Sequence, residues 1–503
     1  MNIVRLMRSF AERRDRWQRP VGYALAVTVV ATAGSVQPLH AQQWRGRAFT
    51  RVQYVDAQPV RLDSISIAQA LGTGRQRMFG DTTVTCGLGA THCFFYRSGD
   101  VVSTTPVVQD LDFTVWGFGV EGLRVYANTR LRTAIGNEEF WPRADDHFDL
   151  ISGYAELQRQ RYRIRLGRDY QISGLGYYGY DGGSAKVRLG ASSSVELEAY
   201  GGLGLERGLP EPTPSALAPL DPFQPRERNI ILGARASARP VSGASFGAIY
   251  QREIDTDWSD LASERIGLDA AYYASSAVTL QGHADYDLAI GSWGKAGATV
   301  GWSPRSRIYV EGRAFRYRPV FSLQTIWAVF SPAPYTGWGA AVGLQPLSNL
   351  SLRFEGERRD YADTEAEVFF QTTTERTWRM GGTATWTPTR KWSVDGGYWQ
   401  NLTLGSALAT GNLGVRARPT DKLTLGASWS AFRQLGEFRV GEGRVWSIGS
   451  NIQWQSDFGT IWGSVDRYQH DRRSADVTQL DWTQTRASLG LAFYFGSEPG
   501  RAQ

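Results

Sequence analysis

Cysteine and histidine are scarce in this chain of 503 residues, which has two of the first and five of the second. Two thiols cannot build a metal cage on their own, and no Cys-x-x-Cys-His run offers a haem attachment point. Long apolar runs are missing as well. Beyond the N-terminus no stretch reaches the roughly 18 apolar residues that a membrane-spanning helix needs, which excludes a polytopic helical membrane protein. Charge of one sign is not in excess either: 55 Lys plus Arg stand against 49 Asp plus Glu, a dispersed +6. That balance implies no nucleic-acid partner. What is abundant is glycine (56 residues) and aromatic side chains (12%), at a mean hydropathy of −0.34. Such a chain has apolar surface to bury, which excludes long disorder.

The N-terminus reads as an export signal over residues 1–41. Arg5, Arg8, Arg13, Arg14, Arg16 and Arg19 precede an apolar stretch from Val21 to Ala33, and Leu39-His40-Ala41 offers a cleavage point. The apolar stretch is too short to span a bilayer, the expected order for a secreted chain. Export places Cys86 and Cys93 in an oxidising compartment, where two thiols so close in sequence are expected to form one disulfide.

From about Glu121 to Phe495 one pattern recurs: some ten residues of alternating character, a turn, and another such run. Between Asn349 and Asp360, Leu350, Leu352, Phe354 and Gly356 fall on one face and Ser351, Arg353, Glu355, Glu357 and Arg359 on the other. A period of two is the signature of a strand, because a helix would scatter those charges around its surface. Turns alternate between short, often proline-containing ones such as Ser303-Pro304-Arg305 and Thr387-Pro388-Thr389, and long ones such as Pro319 to Pro334. Trp302, Trp386, Trp392, Trp454, Phe458 and Trp462 lie beside the proposed short turns, where amphipathic rings sit at a membrane interface. The pattern predicts an all-β, antiparallel up-and-down transmembrane barrel of about twenty strands, about 18–22, over 111–495. Residues 42–110 break the rhythm and read as a small β-rich domain, in the periplasm or folded into the lumen as a cap. Residues 496–503 form a tail.

With these features the chain resembles the Gram-negative outer-membrane β-barrels in the porin-like sense. The resemblance rests on the export signal, the alternating strands, turns such as Trp302-Ser-Pro304, and the aromatic-rich last strand Leu489-Gly-Leu-Ala-Phe-Tyr-Phe495, and it covers most of the chain. One departure is that members commonly end on an aromatic residue, whereas Gly496 to Gln503 follow Phe495 here. The class implies contact with outer-membrane lipid and lipopolysaccharide, insertion by the barrel-assembly machinery, short turns in the periplasm and long loops outside. A periplasmic partner of the N-terminal domain is a further expectation; the oligomeric state is left open.

Chemical motifs do not survive their context. Gly243-Ala-Ser245-Phe-Gly247 matches a nucleophile elbow but runs into a strand rather than a helix. Gly117-Phe-Gly119-Val-Glu-Gly122 matches a dinucleotide fingerprint with no βαβ unit around it. Two aspartate clusters, Asp145, Asp146 and Asp149, and Asp255, Asp257 and Asp260, lack the spacing of a calcium loop and read as solvated charge. No cofactor, metal or catalytic residue is assigned. His283 shares a face with Asp285 and Asp287 and reads as part of a polar lumen patch.

Charges on the inner face of each strand are tolerable only with water or counter-charges. The candidate lumen residues are Arg124, Arg130, Arg132, Arg163, Arg165, Glu196, Glu198, His283, Asp285, Asp287, Glu311, Arg313, Arg353, Glu355, Glu357, Arg359 and Arg379. The apolar loop holding Phe321, Leu323, Trp327 and Phe330 is a candidate constriction. Two functions fit: a porin-like channel passing small hydrophilic or amphipathic solutes, or a non-conducting barrel serving as scaffold, adhesin or partner platform.

Overall fold

The computed structural model describes residues 43–57, 60–80, 82–87, 89–136, 147–190, 194–205, 229–255, 261–318, 334–361, 376–403, 406–434, 443–472 and 482–497. The first strand is β1 (Gln43–Ala57). A small sheet follows, made of β2 (Val60–Ser66), β3 (Gln76–Phe79), β4 (Thr82–Cys86) and β5 (His92–Ser98) in the order β2-β5-β4-β3. Next come β6 (Val102–Trp116), β7 (Leu123–Gly136), β8 (Phe148–Gln158), β9 (Tyr162–Ser173), β10 (Gly176–Leu189) and β11 (Val195–Gly204). The meander continues through β12 (Ile230–Ala238), β13 (Ala244–Ile254), β14 (Leu261–Tyr273), β15 (Val278–Asp287), β16 (Ser292–Arg305) and β17 (Ile308–Tyr317). It ends with β18 (Tyr335–Leu347), β19 (Leu350–Tyr361), β20 (Arg376–Thr389), β21 (Trp392–Thr403), β22 (Ser406–Thr420), β23 (Leu423–Gln434), β24 (Gly443–Gln455), β25 (Gly459–Arg472) and β26 (Trp482–Gly496).

Twenty-two of these strands, β1 and β6 through β26, form one sheet that closes on itself, because β1 pairs with β26 on one side and β6 on the other. Every wall pairing is antiparallel. Closure matters because an open edge in lipid leaves N–H and C=O groups unpaired, each costing several kcal/mol. Only a cylinder removes that cost.

The strands β7 to β26 are the expected twenty, arranged in ten hairpins. The other two come from the segment 42–110, which the structure divides. Gln43–Ala57 and Val102–Trp116 are wall strands, paired in register from Gln43↔Trp116 to Ala57↔Val102, and only Val60–Ser98 forms a separate sheet. That sheet is inserted at the end of the barrel where the long connections lie, the end opposite Trp44 and Gly496. It packs around Val84, Ala70 and the buried disulfide Cys86–Cys93, with Ile65, Ile67 and Phe95 against them.

Alternation sorts each wall strand into two faces. On β26, Leu489 is 58% exposed outside the cylinder while Ser488 faces inward; on β19, Phe354 is exposed outside while Glu355 and Glu357 face inward. Apolar residues open to the surroundings around the whole circumference are the lipid-facing band of a membrane barrel. Trp302, Trp386, Trp392, Trp454 and Phe458 are exposed beside the short turns and form its girdle at that end. Trp462 departs from the expectation. Its pairing with Gln453 and Gly490 turns it into the lumen, where it stacks on Phe49 of β1 at 6.3 Å. Toward the other end Tyr170 stacks on Tyr177 and Trp338 meets Trp378 edge-on, all outside the wall.

Candidate functional site: the lumen wall and its narrowed flank

The strand registers place Arg124, Arg130 and Arg132 (β7), Arg163 and Arg165 (β9), Glu196 and Glu198 (β11), and His283, Asp285 and Asp287 (β15) on the inner face. Glu311 and Arg313 (β17), Arg353, Glu355, Glu357 and Arg359 (β19), and Arg379 (β20) lie there too. Most of these charges are engaged in ion pairs. Arg165 Nε lies 2.6 Å from Glu156 and its Nη1 3.1 Å from Asp169, while Arg124 lies 2.6 Å from the other oxygen of Glu156. Glu156 is fully buried between its two guanidiniums. Arg163 and Lys186 hold Glu198, and Lys186 and Arg188 hold Glu196, at 2.9 to 3.4 Å. Arg130 meets Asp110 at 2.5 Å, and Arg47 of β1 meets Asp112 at 2.5 Å.

A second belt runs over β17 to β19. Arg313 reaches Glu357 at 2.8 Å, Arg359 reaches the same carboxylate at 2.5 Å, and Arg353 lies between Glu355 (3.4 Å) and Glu311 (3.6 Å). Gly339 of β18 separates them, and a Cβ there would press on Arg313. Arg379 instead lies over Trp399 at 4.8 Å, a cation–π contact. Removing one member of the more buried pairs strands its partner in a poorly solvated wall.

The lumen narrows on one flank. At the end where other connections are long, β9 and β10 are joined by Gly174-Leu175 alone, and this tip folds inward. Leu175 is 5% exposed and clusters with Tyr178, Tyr180, Tyr200, Ile231 and Ile249. Its carbonyl accepts from Arg265 Nη1 (3.1 Å) and from the Tyr178 hydroxyl (2.9 Å). Arg265 on β14 also pairs with Asp285, so one buried guanidinium fastens the tip to the far side of the flank. Tyr200 donates to Gln251 (2.9 Å), and Gln251 donates to Glu253 (3.1 Å).

Asp285 thus serves Arg265 and the Lys295 N–H, and Asp287 accepts from the Ile290 N–H at 3.0 Å. His283 faces Gly297 instead. The apolar loop with Phe321, Leu323, Trp327 and Phe330 lies outside the described residues. The inward projection that is described, the Leu175 tip, was not singled out in the sequence; its signal is a two-residue turn at the end where neighbouring turns are long. Sequence alone does not single out Glu156 on β8, and it hides Arg47 on β1 and Asp110 and Asp112 on β6 because residues 42–110 read as a small separate domain rather than as a source of wall strands. Gly243 and Ser245 belong to the turn and start of β13, with no helix following. Of the two aspartate clusters, Asp149 accepts from Arg132 and Asp255 is buried, and the other members lie outside the described residues. Among the described residues no group of three metal-ligating side chains occurs.

No family model matches the chain, and no curated protein matches it in sequence. Solved structures similar in fold include OccK3 (OpdO) of Pseudomonas aeruginosa, at 8% identity over 90% of this chain and 96% of that one, with a TM-score of 0.36. A mutant of the ferric enterobactin receptor PfeA of Pseudomonas aeruginosa matches at 9% identity over 89% and 80%, with a TM-score of 0.45. OpdQ of the same organism matches at 7% identity over 90% and 98%, with a TM-score of 0.38. At these levels the likeness adds nothing to what the strands show. The closed antiparallel wall, its apolar outer band, its aromatic girdle and its charged inner face make this chain a transmembrane β-barrel of the outer-membrane type.

Proposed function

We propose that the barrel is a channel for small hydrophilic or amphipathic solutes, with short turns in the periplasm and long connections outside. The observation that carries this reading is the inner wall. It bears both signs of charge on nearly every flank, and His283 and Gln281 are open to the interior. Barrels of about 16–18 strands already leave an aqueous channel, and 22-stranded transporters fill their wider lumen with a plug. Here the described chain before β7 supplies two wall strands and one four-stranded sheet of its own.

Because Val60–Ser98 emerges between the long-connection ends of β1 and β6, this orientation puts the disulfide-stapled sheet outside the cell. Planar-bilayer recording of the refolded protein is expected to show stable conductance steps. The sign of their reversal potential in a salt gradient reads whether the arginines or the carboxylates of the lumen dominate. A folded, heat-modifiable barrel that stays silent even with Val60–Ser98 replaced by a short linker would overturn the channel reading and favour a scaffold.

A further inference from the structure

Glycines 117, 119 and 122 match no nucleotide fold, yet all three have φ between +75° and +87° and shape the β6–β7 turn. This turn is tied to the next one. Gln158 N–H donates to the Gly122 carbonyl at 2.9 Å, and a Cβ on Gly122 would run into the Gln158 carbonyl. The paired turns border a cavity of about 800 Å³ at the short-turn mouth, lined by Arg45, Arg124, Arg159, Arg188, Trp116 and Glu121 among others.

We propose that this cavity is a binding niche for multiply charged oxyanions, carboxylate or phosphate, at the inner mouth of the pore. The lining supplies four guanidiniums against one carboxylate. For Arg124 the counter-charge stands behind it. Arg124 is 39% exposed while its partner Glu156 is 0% exposed, so an entering solute meets the guanidinium and not the carboxylate. Arg188 is 36% exposed and pairs with Glu196, which is 31% exposed but does not line the cavity. Glu121, which pairs with Arg159, is the one exposed carboxylate. Arg45 lies 5.9 Å over the ring of Trp116, whose indole N–H is anchored on Gln43 at 2.6 Å. Planar guanidiniums held by neighbouring groups bind carboxylate and phosphate in a two-pronged geometry and with little ordering to do.

The niche deepens the channel reading by naming a solute class, but binding is measurable without conduction, so the two fail separately. Titration calorimetry of the full chain in detergent micelles, with inorganic pyrophosphate and with citrate at low salt, is expected to show saturable binding that weakens as salt is raised. The double variant Arg45→Gln/Arg188→Gln should weaken it at least ten-fold. Arg353→Gln, in the distant belt on β19, should leave it within two-fold, both variants remaining heat-modifiable. No binding at millimolar anion, an unchanged affinity in the double variant, or an equal loss in Arg353→Gln would overturn the proposal, the last by showing a diffuse lumen potential instead of a site.

Discussion

Deleting Gln43–Ala57 from the exported chain is expected to abolish the folded, heat-modifiable barrel altogether, whereas replacing Val60–Ser98 by a short flexible linker should leave it intact. Strand edges decide the outcome. β1 is hydrogen-bonded along both flanks, to β26 from Arg45↔Gly496 to Val55↔Arg486 and to β6 from Gln43↔Trp116 to Ala57↔Val102. Without it β6 and β26 are left with bare edges in lipid, and each unpaired backbone group there costs several kcal/mol. The sum exceeds the whole stability of an ordinary domain. The small sheet carries no such burden. Its excision leaves Ala57 and Val102 as neighbours in register, which a short connection spans. Gel mobility with and without heating, on both variants, reads the difference directly.

The second large effect centres on Arg265. Its guanidinium is buried, bonded to the Leu175 carbonyl and the Tyr178 hydroxyl and paired with Asp285, which is 4% exposed. Arg265→Ala is expected to destabilise the barrel by about 3–5 kcal/mol, because it leaves a buried carboxylate without its counter-charge. The double variant Arg265→Ala/Asp285→Asn should recover most of that loss, since a neutral amide has far less hydration to give up. Both variants release the Leu175 tip, so both should enlarge the single-channel step relative to the unmodified protein. Urea unfolding in micelles gives the first comparison and bilayer recording the second. Equal losses in single and double variants would show that the guanidinium acts by packing rather than by charge.

Much of this was legible in the sequence, for a physical reason. A wall strand in a membrane barrel has lipid on one side and water on the other, so alternation is enforced at nearly every position, as Leu489 and Ser488 or Phe354 and Glu355 show. Ten consecutive hairpins follow from that alternation and from the short turns. Two strands escaped because neighbouring strands are normally joined by short connections, and β1 and β6 are joined through a sheet with strands of its own. The alternation was there: Arg45, Arg47 and Arg51 face inward while Ala48, Val52 and Tyr54 face outward. Inner-face positions were legible by parity, but their partners were not. Which carboxylate meets Arg124 or Arg313 depends on register between strands, and the fastening of Leu175 by Arg265 joins residues 90 positions apart. The pattern along one strand holds no record of either.

Closure of the wall by β1 is tested most directly by covalent linkage of the first strand to the last. In a Cys86→Ser/Cys93→Ser background, Gln53→Cys with Ser488→Cys and Val52→Cys with Leu489→Cys introduce two adjacent register pairs of β1 and β26. Facing pairs in an antiparallel ladder alternate between wider and narrower spacing, so one of the two falls well within disulfide reach. Mild oxidation of the folded protein is predicted to join residues near the two ends of the chain, seen as a mobility shift of the denatured, unreduced protein. The slipped pair Gln53→Cys with Leu489→Cys points to opposite faces and should not link. Absence of linkage in both register pairs, or linkage equally efficient in the slipped pair, would contradict a closed 22-stranded wall with β1 as its seam.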